Sequence, residues 1–227
     1  MKYFYTLLSC LLSIAATAQN PEIIGGFLLD GKDSLEELDA AVLVESKRKE
    51  KELTGKGMKI PGACICMTPE NIGEEIGSLI NIKDSILVRS ISFTVKENRM
   101  EGCKASIRIY SMDGKSNLMN IVTIPIEQDI PKAEKKKTFS IAPEDILILE
   151  PGDYYISLSI TELSEDIMKR WADSDTWNED EHYTKYMQDR IYFPVYVKNS
   201  FHRDGAKMSL KEWWANIGLS VKGWIIG

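Results

Sequence analysis

Apolar and polar residues alternate with a period of two along most of the chain after about residue 85. In the run that begins at Leu87, for example, Leu87, Ile91 and Phe93 share one face of an extended chain, and Ser90 and Ser92 share the other. The same alternation predicts seven further strands, in residues 105–110, 121–126, 139–141, 146–149, 154–160, 191–197 and 217–221. About eight short strands with close turns predict an all-β fold, an antiparallel jelly-roll-like β-sandwich.

Helical periodicity is confined to residues 163–190, between two of the predicted strands. Ser164 is a typical N-cap for a short helix through Trp171, and Asn178 is one for a second helix to about Arg190. The segment is rich in acidic residues. We therefore expect a charged, partly helical insertion on the surface of the sandwich. Pro194, just beyond it, cannot donate to a sheet, so its strand is expected at an edge or with a bulge.

The first 18 residues have the pattern of a secretory signal peptide. Lys2 precedes an apolar run to about Ala15, and small residues at positions 16 and 18 predict cleavage after Ala18. Cys10 and the three residues before it resemble a bacterial lipobox, which leaves lipidation at Cys10 as an alternative. The apolar run is too short to span a bilayer, and no later stretch is long enough. The sequence thus predicts an exported protein without a transmembrane segment.

Residues 19–69 predict a short N-terminal segment followed by a charged connector. Glu22 to Leu29 is a candidate strand interrupted by two glycines, and Ser46 to Lys59 is almost entirely charged or small. The sandwich domain is therefore expected to span residues 70–227. The whole chain has 34 acidic and 28 basic residues and a net charge of −6. That balance argues against a nucleic-acid-binding protein, which needs clustered positive charge.

Three cysteines follow the signal peptide, an odd number for an oxidising compartment. Cys64 and Cys66 would point to the same face of a strand. Either of them could form a disulfide with Cys103, and buried free thiols are the alternative. Neither a metal site nor a redox site is expected, because the pattern offers one C-x-C pair and no second pair of ligands.

Exposed aromatic residues beside carboxylates are typical of a carbohydrate-binding surface, because the ring covers the apolar face of a sugar and the acids accept from its hydroxyls. The insertion supplies Trp171, Trp177 and Tyr183 as candidate ligand-binding residues. The alternative is that these rings pin the insertion onto the sandwich. Trp214 is a second candidate, because adjacent Trp213 and Trp214 face opposite sides of an extended chain and only one of them can enter the core.

Motifs for catalysis or cofactor binding are scarce. The acidic loop that begins at Asp173 fails as a calcium loop, because Asn178 stands where glycine is required and Thr184 where glutamate is required. The chain has no G-x-S-x-G motif, and its many carboxylates show no pairing typical of a glycosidase. We therefore expect no metal, no cofactor and no catalytic residues.

Six runs carry a resemblance to a known family: 73–77 (GEEIG), 108–110 (RIY), 151–158 (PGDYYISL), 200–203 (SFHR), 213–214 (WW) and 218–221 (GLSV). In this order they resemble the C-terminal β-sandwich of Gram-negative envelope proteins that carry a carboxypeptidase-regulatory-like (transthyretin-like) domain. Residues 22–31 would then be a remnant of that domain. The insertion 163–190 departs from the pattern. The resemblance implies an accessory or binding role in the cell envelope and supplies no catalytic residues.

Three functions remain open from the sequence. The first is an exported, non-enzymatic sandwich, periplasmic or associated with the outer membrane or cell surface, that binds an envelope protein or assists an envelope assembly. The second is a carbohydrate-binding module that uses exposed aromatics. The third is a glycan or peptide hydrolase with dispersed carboxylates.

Overall fold

The computed structural model describes residues 22–24, 27–29, 49–113, 117–122, 124–204 and 209–226. The chain divides into two compact units, Met1–Lys49 and Glu50–Gly227. In the first unit, strands β1 (Glu22–Ile24) and β2 (Phe27–Leu29) pair as an antiparallel hairpin on either side of the two glycines. The predicted signal peptide, its cleavage site and Cys10 lie outside the described residues.

The second unit is built almost entirely from antiparallel strands. In chain order they are β3 (Glu50–Thr54), β4 (Met58–Met67), β5 (Glu75–Ile82), β6 (Ile86–Val95), β7 (Glu97–Asn98), β8 (Cys103–Asp113), β9 (Asn117–Asn120), β10 (Ile126–Ile130), β11 (Lys137–Ile141), β12 (Ile148–Leu149), β13 (Gly152–Glu162), β14 (Ile191–Asp204), β15 (Ser209–Asn216) and β16 (Ser220–Ile225). Helices α1 (Glu165–Trp171) and α2 (Glu179–Gln188) lie between β13 and β14. A 3₁₀ turn, Pro69–Asn71, precedes β5.

Two sheets form the sandwich. The larger has the strand order β10-β8-β13-β5-β14-β15, with β4 and β7 also paired to β14 and β9 paired to β8. The smaller has the order β11-β6-β16-β3, with β12 also paired to β6. Side chains between the sheets form one continuous apolar core, in which Ile91 and Val221 of the small sheet and Ile107, Ile156 and Phe193 of the large sheet are completely buried. The predicted all-β sandwich is confirmed.

The sandwich begins earlier in the chain than predicted. Strands β3 and β4 belong to its two sheets, so residues 50–69, assigned from the sequence to the connector, are part of the compact unit. The charged residues of β3 hid its strand character. Lys51 and Leu53 are half-buried there, while Glu50 and Glu52, which alternate with them, point to solvent.

Some predicted strands have different boundaries. Residues 121–125 connect β9 to β10, two short strands that pair with successive parts of β8, and Ile124 is exposed. Pro125 in this connection cannot donate to a ladder. In β6 the register shifts opposite Gly223, which moves Leu87 off the core face predicted for it. Pro194 lies at a register shift of β14, as the bulge prediction requires.

Both predicted helices of the insertion are present. Helix α1 begins after Ser164, and α2 begins after Asn178, whose side chain accepts a hydrogen bond from the Glu181 N–H. The Glu181 carboxylate in turn accepts from the Asn178 N–H, which completes a capping box. Neither described helix is long and apolar enough to cross a membrane.

Candidate functional site: a groove on the outer face of the large sheet

The outer face of the large sheet, which points away from the small sheet, carries buried aromatic residues. Along β13 the side chains alternate, so that Tyr154 and Ile156 enter the main core while Tyr155 points to the outer face. There Tyr155 packs with Tyr110 and Phe201 in a second hydrophobic cluster. Tyr155 is completely buried although nothing of the small sheet covers it. The outer face therefore has an apolar layer of its own.

The sheet register explains this layer. Tyr155 lies opposite Tyr110 on β8 and opposite Leu79 on β5. The rings of Tyr110 and Tyr155 stack with centroids 6.0 Å apart, and Phe201 meets Tyr155 edge-on at 5.9 Å. Gly77 on β5 leaves room for the Tyr155 ring, since a Cβ atom there would lie 2.6 Å from it. The Tyr155 hydroxyl donates to the Phe201 carbonyl at 2.9 Å, which ties β13 to β14.

A buried polar network lies beside the aromatic cluster. The carboxylate of Glu75 accepts hydrogen bonds from the Ser157 hydroxyl at 2.8 Å and the Tyr110 hydroxyl at 3.0 Å. The Arg203 guanidinium is 3.4 Å from the same carboxylate and 2.8 Å from the Tyr110 oxygen. Burial raises the pKa of both Tyr110 and Tyr155, and the nearby Glu75 charge raises it further. These tyrosines are therefore neutral donors at physiological pH.

A groove of about 820 Å³ lies above this layer. Its walls come from five strands of the large sheet, and its lining residues are Leu79, Met112, Asp153, Asn199, Ser200, Phe201, Glu212, Trp213 and Trp214. Phe201 is the direct link between the buried cluster and the groove. The volume is within the range of about 300–1,000 Å³ typical of ligand sites.

Trp214 is the most prominent side chain of the groove. Its side chain is mostly solvent-accessible, with 56% exposed, while Trp213 packs against the main core and meets the His202 ring at 6.1 Å. The two tryptophans thus face opposite sides of β15, as the alternation predicts. Trp214 is the one candidate from the sequence that the structure places in the groove.

Polar groups accompany Trp214 in the lining. Asp153 is held by the Asn81 amide, which donates to its carboxylate at 2.8 Å, so the second carboxylate oxygen is not used by that bond. Asn199 and Glu212 are exposed on the opposite side of the groove. A ring, two carboxylates and an amide around one groove can cover an apolar surface and hydrogen-bond the polar groups at its edge.

The carboxylates of the groove are far apart. Asp153 lies opposite Asn81, and Glu212 lies opposite Phe201, which is beside Gly77. The path from Asp153 to Glu212 therefore crosses three strand spacings of the sheet and four residues along β5. The Cα atoms of the two residues are about 19 Å apart. A glycosidase needs its two carboxyl groups within about 5–9.5 Å, and Asp and Glu side chains are too short to close that gap. These two carboxylates are not a glycosidase acid and base.

Trp171 anchors the insertion to the main core of the sandwich. Trp171 is 6% exposed, and its Nε1 donates to the Asp189 carboxylate at 2.9 Å. The same buried carboxylate accepts two hydrogen bonds from Arg170, at 2.8 and 2.9 Å. A ring buried in this way offers no face to a ligand, so Trp171 serves the alternative role considered from the sequence, that of pinning the insertion.

Trp177 and Tyr183 lie at the surface of the insertion. Trp177 is half-buried, 5.1 Å from the Trp171 ring, and Tyr183 is 65% exposed on α2. With His182 they border a shallow depression of about 460 Å³, and His182 is 3.0 Å from the Glu70 carboxylate of the sandwich. These residues do not line the groove. Within the described residues, no group of three His, Cys, Asp or Glu side chains is placed to hold a metal ion.

The cysteines are free thiols in the described part of the chain, so the possible bridge from Cys103 to Cys64 or Cys66 is not formed, and of the free thiols only Cys103 is buried. Cys103 points into the main core, where burial raises its pKa to about 12. Cys64 is exposed on β4 instead, so the two sulfurs lie in different environments. Cys66 is half-buried, and burial also raises its pKa.

Known families and curated proteins provide no match: no family model matches this chain, and no curated protein is similar to it. The resemblance to the sandwich of Gram-negative envelope proteins therefore stays a prediction. The groove has to be interpreted from its own residues. Asp153, Asn199 and Glu212 are not among the residues predicted from the sequence, because their polar character gives no sign that the sheet register brings them around one cavity.

Proposed function

We propose that this protein is an exported, non-enzymatic binding protein of the bacterial cell envelope, and that the groove on the large sheet binds an oligosaccharide. The observation that carries the proposal is the exposed Trp214 ring beside the carboxylates and amide of a groove of ligand size. Export is proposed from the signal-peptide pattern of the first 18 residues.

The shape and chemistry of the groove favour a sugar over a compact apolar ligand. Leu79, Met112 and Phe201 provide an apolar floor, while Asp153 and Glu212 place hydrogen-bond acceptors at its edges. A sugar ring has the same mixture, with C–H groups on its faces and hydroxyls around its rim. The large separation of the two carboxylates supports binding without hydrolysis.

The rigidity of the floor supports the same conclusion. Tyr155 and Phe201 are fixed by ring packing and by the hydrogen bond between the Tyr155 hydroxyl and the Phe201 carbonyl. The floor lies on strands and is ordered before the ligand arrives, so little conformational entropy is lost on binding.

Affinity electrophoresis or a glycan array with the mature protein tests the proposal. Trp214→Ala should weaken binding at least about tenfold, which corresponds to ~1.4 kcal/mol. Tyr183→Ala is the matched control, because it removes a similarly exposed aromatic ring outside the groove and should bind as the unmodified protein does. If no glycan is retained, or if Trp214→Ala binds unchanged, the sugar site is refuted. An envelope protein partner, the first hypothesis from the sequence, then becomes the better explanation.

A further inference from the structure

The charge of the groove restricts the sugars it can accept. Both charged residues among its described lining residues, Asp153 and Glu212, are acidic. Two basic side chains adjoin lining residues in the sequence. Lys198 directs its ammonium to the Leu79 carbonyl at 3.4 Å, and Lys211 alternates with Glu212 along β15 and so points to the other face of the sheet. Arg203 lies in the network around Glu75, where its charge is balanced. Among the described residues that line the groove the net charge is therefore −2, or −1 when Lys198 is counted.

We infer that the groove prefers oligosaccharides that carry protonated amines, accepts neutral ones more weakly and rejects acidic ones; this inference rests on the proposed function. Opposite charges attract and like charges repel across the groove, and because both carboxylates are exposed the effect is strongest at low ionic strength. An ammonium group can also lie over the face of the Trp214 ring, which attracts cations through its quadrupole.

The position of the carboxylates predicts an oligomer and not a single sugar. With their Cα atoms about 19 Å apart, Asp153 and Glu212 lie at two ends of a path that crosses three strand spacings of the sheet. One monosaccharide cannot reach both. Amino groups on two different units of an oligomer can, and each would contribute separately to the preference.

Three tetrasaccharides provide the test by isothermal titration calorimetry at mildly acidic pH, where sugar amines are protonated. They are the β-1,4-linked tetramer of glucosamine, its fully N-acetylated form and a tetramer of galacturonic acid. The first two share a backbone and differ in charge. We expect the amine form to bind about tenfold tighter than the acetylated form at low salt, and the uronate not to bind. High salt should reduce the preference.

Variants connect the preference to the groove. The double variant Asp153→Asn with Glu212→Gln should lose most of the preference for the amine tetramer over the acetylated one, because both charges are removed while the Trp214 ring and the apolar floor remain. Glu127→Gln is the control: it neutralises an exposed carboxylate on β10, outside the groove, and should keep the preference. Circular dichroism should show all variants folded, since all three side chains are exposed.

The outcomes separate this inference from the proposed function. Tight binding of the uronate, or equal binding of the amine and acetylated tetramers by the unmodified protein, overturns the charge preference. If Trp214→Ala abolishes the binding of the tetramer that the unmodified protein does bind, the oligosaccharide site itself stands although the charge preference is wrong. Absence of binding by every tetramer, together with a negative glycan array, refutes both.

Discussion

Glu75 offers a test of the layer that supports the groove. It lies at the start of β5, on the outer face of the large sheet, and is 5% exposed. Its carboxylate accepts from the hydroxyls of Ser157 and Tyr110 and pairs with Arg203, whose side chain is 11% exposed. Glu75→Ala therefore removes the negative charge from a nearly buried ion pair and leaves two hydroxyls without their acceptor.

The expected loss follows from that geometry. Removal of one partner of a buried, hydrogen-bonded ion pair costs about 3–5 kcal/mol, because the remaining charge stays desolvated. A domain is stable by only about 5–15 kcal/mol, so the variant should remain folded with a much smaller margin. For a unit of this size the loss corresponds to a decrease in Tm of roughly 6–20 °C.

Urea unfolding followed by tryptophan fluorescence measures the change in the free energy of unfolding. Glu162→Ala is the control, since this carboxylate on β13 is 60% exposed and its contact with Lys104 at 2.9 Å is a surface ion pair. Such pairs contribute about 0–1 kcal/mol. If Glu75→Ala loses no more stability than Glu162→Ala, the network does not support the outer layer and the argument is refuted.

A double variant separates charge from packing. Glu75→Leu with Arg203→Met replaces the ion pair by apolar groups of similar size. Because both charges disappear together, the double variant should be more stable than the sum of the two single changes predicts, by about 1–3 kcal/mol. Simple additivity would contradict a direct interaction between the two side chains.

Three further outcomes are expected. Asp189→Ala should destabilise the protein by about 2–3 kcal/mol and open residues 163–190 to limited proteolysis, because Trp171 loses its acceptor; unchanged cleavage would contradict the anchoring role. Burial raises the pKa of Tyr155, so the unfolded chain loses this proton first. The contribution of Tyr155 to stability should be constant below about pH 10 and fall above it by about 1.4 kcal/mol per pH unit, measured as the difference in urea midpoints between the unmodified protein and Tyr155→Phe; a flat difference would refute this. Iodoacetamide with mass spectrometry should modify Cys64 quickly and Cys103 only after unfolding; equal rates would contradict the buried placement.

Local patterns predicted the parts of the fold that local forces determine. The helices after Ser164 and Asn178 begin where these N-cap residues predict. The Asn178 side chain satisfies a backbone donor within one turn, whereas the Ser164 hydroxyl makes no capping bond. The opposite orientation of Trp213 and Trp214 also follows from the extended chain alone. The same is true of β13, whose alternation runs from Tyr154 to Ile160, up to the register shift near its end.

Strand boundaries depend on neighbours that are distant in sequence, and there the prediction was weaker. The charged segment that contains β3 becomes a strand because β16 offers it an edge. The apolar run 121–126 is interrupted because β9 and β10 pair with different parts of β8. Neither pairing can be inferred from the local sequence. The charge of β3 is typical of a solvated connector, and the apolar residues of 121–126 are typical of a continuous strand.

The groove depends on register, which alternation does not specify. Asp153, Phe201 and Glu212 lie on three strands, and only their pairing through β5 brings them around one cavity. One local sign did exist: Tyr155 lies on the same face of β13 as Ser157, a face that the alternation assigns to solvent. Exposing a large aromatic ring to water on that polar face is unfavourable, so the Tyr155 ring is expected to pack against other apolar side chains. The sign indicates an extra apolar layer on the outer face, while the identity of the partners required the three-dimensional structure.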